Sequence, residues 1–243
     1  MLVDPVPYSP YRKRKKPSVH TEPSVVPFVT ARAGEDEVHD DLVVVGSRSG
    51  ARLGYRDEKP ADRDDGGALW ARCRVLPTDG HGEPAGPPDW QRMHPVRQRL
   101  CMERMHCLIC FAPAETPFGY LFLGPRDPAP TQPAILTSLP PVCAAHVHAA
   151  VGRRLHLEDD PVVHLAASAH PWGVTGTLYS PGTDGAEAVG EAAGPVAYGD
   201  PRLAMTLASR SVRRLADSRP VDLDELLLLL NAGAGTGTAR TSA

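Results

Sequence analysis

Cys107-Leu108-Ile109-Cys110 and, 32 residues later, Cys143-Ala144-Ala145-His146 are the two short runs on which the reading of this chain turns. Each pair sets two sulfur or nitrogen donors at i, i+3. Together they supply the four ligands of a tetrahedral zinc ion, with thiolates at about 2.3 Å and imidazole at about 2.0 Å. Four protein ligands leave no position for water, so a Zn2+ ion held this way contributes folding free energy instead of catalysis. The flanks agree with the spacing. Pro140-Pro141 stops whatever precedes Cys143, and residues 144–155 are rich in helix formers, which puts Cys143 and His146 on the first turn of a helix. The first pair precedes Gly119-Tyr120-Leu121-Phe122-Leu123, a short strand pattern.

A Cys-x-x-Cys knuckle, a hairpin strand and a ligand-bearing helix start resemble the treble-clef class of zinc fingers, and the resemblance implies a treble-clef-like zinc core. Other ligand choices stay open. His148 is an alternative to His146, and Cys101 or His106 to the first pair, although position 146 keeps the i+3 spacing. Cys73 and Cys101 otherwise read as small buried side chains. A redox role for Cys107 and Cys110 would need a thioredoxin-like βαβ context, which the surrounding pattern does not offer.

Outward from the metal motif, composition limits the rest. Hydrophobic residues are 42% of the 243, aromatics 5%, and the 26 Pro and 22 Gly approach one residue in five, against a usual share of about 12%. A modest core with many loops follows. Only four of the 26 basic residues are lysine, at positions 13, 15, 16 and 59. The net charge of -3 argues against a wholesale polyanion binder, so any nucleic-acid contact is expected to be local. The N-terminus lacks the basic-then-apolar pattern of an export signal, and no apolar run approaches the roughly 20 residues that cross a bilayer. The expectation is a cytoplasmic protein without membrane contact, its cysteines in a reducing compartment.

The fold class expected is α+β, in four segments. Residues 1–37 read as a Pro-rich mobile arm with the basic cluster 12–16, for which the acidic run 35–41 is an internal partner. Residues 38–90 read as a small β-rich segment, with a hairpin over 41–55 and a strand over 68–76. Residues 91–231 read as the zinc-centred α+β domain, and 232–243 as a disordered tail. Within the third segment, Pro95 opens a helix over 90–106 that carries Arg92, Arg97, Arg99 and Arg104. Residues 161–169 and 173–179 read as two strands joined by Ala169-His170-Pro171-Trp172, and 181–194 as a loop. Leu203, Leu207, Val212 and Leu215 predict a helix over 202–217, and 222–230 a second short helix.

Arg92-Met93-His94-Pro95-Val96-Arg97-Gln98-Arg99, Met102, Cys107-x-x-Cys110 with Pro113-Ala114, and Pro140-Pro141-Val142-Cys143 resemble an uncharacterised actinobacterial protein family. The similarity runs from about Leu53 to Leu223. Members of that family tend to carry a cysteine where this chain has His146, an exchange that zinc chemistry tolerates. The resemblance implies a metal site and brings no activity with it.

Three function classes follow. The first is a non-enzymatic binding or regulatory protein, in which Arg92, Arg97, Arg99, Arg104, Arg153 and Arg154 face nucleic acid or an acidic protein, since a guanidinium pairs bidentately with oxyanions. Removing Arg97 or Arg99 is then expected to spare folding. The second is a nuclease of the His-Asn-His type, which needs a catalytic histidine on the strand before the finger helix; residues 134–141 hold none. The third is another enzyme using His164 or His170 with Asp159 or Asp160, for which spacing gives no support. No Gly-rich phosphate cradle is present.

Overall fold

The computed structural model describes residues 26–47, 50–78, 84–125, 135–152, 161–183 and 185–234. Within them the chain runs β1 (Thr30–Arg32), β2 (Glu37–Val38), β3 (Leu42–Ser47), β4 (Gly50–Tyr55), β5 (Leu69–Trp70), β6 (Arg72–Cys73), β7 (Pro88–Met93), α1 (Pro95–Arg104), β8 (Glu115–Thr116), β9 (Gly119–Gly124), β10 (Leu136–Thr137), α2 (Val147–Gly152), β11 (Val162–Pro181), β12 (Ala186–Glu191), β13 (Val196–Ala197), β14 (Thr206–Val221) and α3 (Leu223–Ala234). It is a mixed α+β fold dominated by strands. No helix among the described residues is long and apolar enough to cross a membrane.

The backbone of the fold is an antiparallel ribbon of β11 and β14, in register from Val163 opposite Val221 to Leu178 opposite Thr206. On the far side of β11, its first half pairs with β9 and its second half with β13 and β12. On the far side of β14, β10 pairs antiparallel and β5 parallel. Three sequence expectations give way here. Residues 161–179 are one strand, because the extra residue at Trp172 is absorbed as a β-bulge between Pro171 and Gly173 instead of reversing the chain. Gly173 and Gly176 make this possible: a Cβ on Gly176 would lie 1.9 Å from the Leu207 carbonyl oxygen, and one on Gly173 2.1 Å from that of Val196. Residues 206–221 are a strand and not a helix. Paired on both edges, β14 buries Leu207, Ala208, Ser211, Val212, Arg213 and Leu215, and the missing period-2 alternation let a near-helical spacing stand in the sequence. Residues 181–194 contain β12, an exposed edge strand.

The hairpin over 41–55 is present as β3 and β4, whereas 68–76 splits into β5 and β6. The segment 38–90 is woven into the remainder: β5 joins the ribbon, and β2 pairs with β6. The mobile-arm expectation also fails for its last part. Val29 is fully buried, β1 pairs with β7, and Phe28 and Val29 donate to the carbonyls of Ile109 and Leu108. The basic cluster 12–16 lies outside the described residues. Residues 232–234, expected in the tail, belong to α3, which extends to Ala234, and 235–243 lie outside the described residues.

α1 starts at Pro95, the helical start the sequence offers, but the helix expected over 90–106 is cut to Pro95–Arg104, because β7 takes residues 88–93 and Arg92 with them. Gln98, fully buried, fastens it to the ribbon. Its amide donates to the carbonyls of Ser138 (2.7 Å) and Ser211 (2.9 Å) and accepts from Ser211 N–H (2.9 Å). All of these are interior bonds that would cost about 1–3 kcal/mol each if left unmade.

Candidate metal centre

Four donors converge where α1 ends. Met105 turns into the left-handed region (φ 55°) and stops the helix, and His106 N–H caps the carbonyl of Cys101. The chain then forms a closed knuckle. Cys107 N–H bonds to Ala112 O at 2.7 Å, Phe111 N–H bonds to Cys107 O at 2.9 Å, and Phe111 sits at φ 58°. A non-glycine residue held there costs on the order of 1 kcal/mol. Its ring is anchored against Phe28 (4.4 Å between centroids) and His106 (4.8 Å). The second pair arrives from β9 and β10. Leu108 N–H donates to Pro141 O and Val142 N–H to Leu121 O, so the segment before Cys143 is tied both to the knuckle and to β9. Cys143 and His146 occupy the turn leading into α2, one turn ahead of the position the sequence gives them, with His146 N–H bonded to Cys143 O.

Cys107, Cys110, Cys143 and His146 thus form a group whose ligand atoms all lie within 4.8 Å of one another, able to hold a metal ion. Cys110 Sγ is 3.9 Å from Cys143 Sγ, and Cys143 Sγ is 3.2 Å from His146 Nδ1. A regular tetrahedron with metal–sulfur bonds of about 2.3 Å has sulfur–sulfur edges of about 3.8 Å, and slightly shorter sulfur–nitrogen edges. These two edges therefore need adjustments of only a few tenths of an ångström. The backbone N–H of Ile109 points at Cys107 Sγ (3.4 Å), a donor that favours thiolate. Without a cation the electrostatics run the other way: burial, then the neighbouring Cys107 and Cys110 thiols, push the Cys143 thiol up to about 12. A divalent ion reverses that logic, because it deprotonates the thiols that bind it. All five cysteines are free thiols. Cys101 is buried beside Cys107 O but stands outside the group, as do His106 and His148.

The centre rests on the largest core cluster. Leu108, Ile109, Leu121, Val142, Val147 and Ala150 pack there with Leu226 of α3.

The arginines separate into different roles. Arg97 is interior: its guanidinium grips Glu35 bidentately (2.8 and 2.6 Å) and also donates to Thr30 O (2.8 Å), with side-chain exposures of 13% and 4%. It is held inside the fold and does not face solvent. Burial by itself would raise the Glu35 carboxyl, but hydrogen bonds from Arg97 and the Arg32 amide, with the Arg97 charge, outweigh it and hold Glu35 below the usual range. His94, 3.8 Å from that carboxylate, is pushed down to about 4 by burial and then by Arg97. Arg92 pairs with Asp89 and Asp36, and Arg99 pairs with Glu103 while lying over the Trp70 ring. Arg104 is exposed above Phe111 with no carboxylate in ion-pair range among the described residues. Arg153 and Arg154 lie outside the described residues, as do Asp159 and Asp160.

The histidines weighed for catalysis have ordinary partners. His164 Nε2 donates to Pro125 O (3.1 Å) inside the sheet, and His170 Nε2 meets Ser168 Oγ (3.1 Å) at the surface. His148 is exposed, 3.7 Å from Asp224. β10, the strand before α2, carries only Leu136 and Thr137. The Glu35–Arg97 pair, the Gln98 clamp and the buried Arg213 of β14 are the features sequence reading missed. Their neighbours in the chain gave no signal, since Glu35 opens an acidic run, Gln98 lies between two arginines and Arg213 precedes Arg214. Comparison with known proteins finds no matching family model, no matching curated protein and no matching solved structure.

Proposed function

We propose that this chain is a non-enzymatic, zinc-stabilised binding or regulatory protein whose Cys107/Cys110/Cys143/His146 centre is a structural, treble-clef-like zinc site. The observation that carries the reading is the closed donor set. Three sulfurs and one imidazole nitrogen lie within 4.8 Å of one another, with two edges near tetrahedral length, on a knuckle hydrogen-bonded to both neighbouring segments. Such a set favours zinc over harder cations, and bound zinc contributes folding free energy. The order of parts supports a treble-clef relationship: knuckle, β8–β9 hairpin, then the second ligand pair entering α2. The family resemblance rests on the same motif residues.

The partner favoured is nucleic acid, with an acidic protein as the other anionic candidate. The contact runs through Arg104 and Arg99 on α1 and Arg92 beside it. Arg97 is withdrawn from this set by its buried ion pair. Binding carried by a few arginines is salt-dependent, falling with a slope of about one per phosphate contact. A gel shift with a duplex oligonucleotide across a salt series tests it: Arg104→Ala is expected to weaken binding and flatten the slope by about one. Salt-insensitive binding, or no loss in the variant, refutes the contact. Plasmid incubated with Mg2+ stays intact under this reading, and cleavage would point to a nuclease.

A further inference from the structure

We propose that the cleft between α1, β5 and the bulged part of the β11–β14 ribbon binds a small organic anion through Arg213. Arg213 is only 8% exposed, yet among the described residues no carboxylate lies within ion-pair distance of it. Its Nη1 donates to Ala169 O (2.6 Å), while its Nε is buried without any partner. Three other inward arginines have a carboxylate partner. Arg63 has Glu58, Arg72 has Asp62 and Arg97 has Glu35. A guanidinium remains charged in proteins, and burying one without a counter-charge costs several kcal/mol. Arg213 therefore awaits an anion from outside.

The surroundings give that anion a shape. Arg213 lines a cleft of about 740 Å3 together with Trp70, Arg99, Pro171, Tyr198 and Ser211, a size typical of small-molecule sites. Two flat walls are held rigid by one carboxylate: Asp64 Oδ2 accepts from Trp70 Nε1 (3.0 Å) and Tyr198 Oη (2.8 Å). The β-bulge after Pro171 falls opposite Arg213, and bulges commonly re-aim side chains next to sites. Asp64, Asp65 and Glu103 also line the cleft, which disfavours a polyanion and selects a compact ligand with one oxyanion and a flat apolar ring. This inference does not rest on the metal reading, and it shares only Arg99 with the α1 arginine surface.

Phenylacetate and phenyl phosphate are the probes, titrated into full-length protein labelled with 15N and followed by proton–nitrogen correlation spectra. The expected result is saturable shifts at the Trp70 indole N–H with Trp90 unmoved, and the tighter probe identifies the head group as carboxylate or phosphate. Arg213→Lys keeps the charge but not the planar fork and is expected to weaken binding at least tenfold. Arg213→Met is expected to abolish it with a melting temperature equal to or above that of the wild type, because a stranded charge has been removed. No saturable shift with either probe overturns the proposal, and so does a shift that Arg213→Lys leaves unchanged.

Discussion

Replacing Arg97 by Met tests how the N-terminal segment is held. The change removes two charge-assisted bonds to Glu35 and one to Thr30 O, and leaves a 4% exposed carboxylate with one remaining strong donor, the Arg32 amide. Breaking one side of a buried ion pair costs about 3–5 kcal/mol. The surviving amide bond and nearby His94 place this case near the lower end, about 3 kcal/mol. Against a total of about 5–15 kcal/mol for a typical domain, that is a large fraction. With a urea m-value of about 2 kcal/mol/M, the midpoint moves by about 1.5 M. The pH dependence supplies a second check. In the wild type the Glu35 pKa is lowered, so its contribution is complete above the unfolded-state value near 4.5 and fades as pH falls below it. In the variant burial is opposed mainly by the Arg32 amide, the folded pKa rises, and the penalty shrinks on acidification as the carboxyl takes a proton. His94, freed of the Arg97 charge, narrows the gap further by protonating beside Glu35. Urea unfolding of both proteins at pH 7 and pH 4.5 should give a difference near 3 kcal/mol that falls by half or more. A difference below about 1 kcal/mol at pH 7, or one independent of pH, refutes the reasoning. Arg97→Met with Glu35→Gln should recover part of the loss.

Three further outcomes are expected. Purified protein should carry one zinc per chain by elemental analysis, and Cys110→Ser or Cys143→Ser should lose metal and melt lower by ten degrees or more, while Cys101→Ser retains it; full metal content in either ligand variant would exclude that residue. Gln98→Ala should cost about 2–4 kcal/mol in chemical unfolding, since it strands interior donors and acceptors at Ser138 and Ser211. Gly176→Ala should lower soluble yield or cost about 4 kcal/mol or more, because its Cβ collides with the Leu207 carbonyl; a variant as stable as wild type by calorimetry would mean that the ribbon shifts freely there.

The parts legible in the sequence are those specified locally. Cys-x-x-Cys, the Pro140-Pro141 stop, the Pro95 start of α1 and the hairpin of β3 and β4 each depend on neighbours in the chain, and each is present. What was illegible is specified from afar. β14 could be told from a helix only by knowing that β11, β10 and β5 cover its two edges, and β11 could be told from a hairpin only by knowing that β14 continues past Trp172. Arg97 looked like surface because its partner, Glu35, is 62 positions away, on a segment whose prolines read as an arm.

The position of the metal centre has one more consequence. The loop it closes, from Cys110 to Cys143, contains both β9 and β10, which flank the ribbon on opposite edges, β9 along β11 and β10 along β14. A metal ion bound there would be the pin of a clasp gripping the two-stranded strap from its Val163 end to its middle, where Thr137 pairs with Arg213, and closing a loop of that length is worth about 4 kcal/mol in chain entropy alone. Removing the pin would loosen that half, while the other half is gripped by β12, β13 and β5. Metal supply would thereby set the tightness of that half of the strap, up to Arg213, which pairs with Thr137 of β10 and lines the cleft.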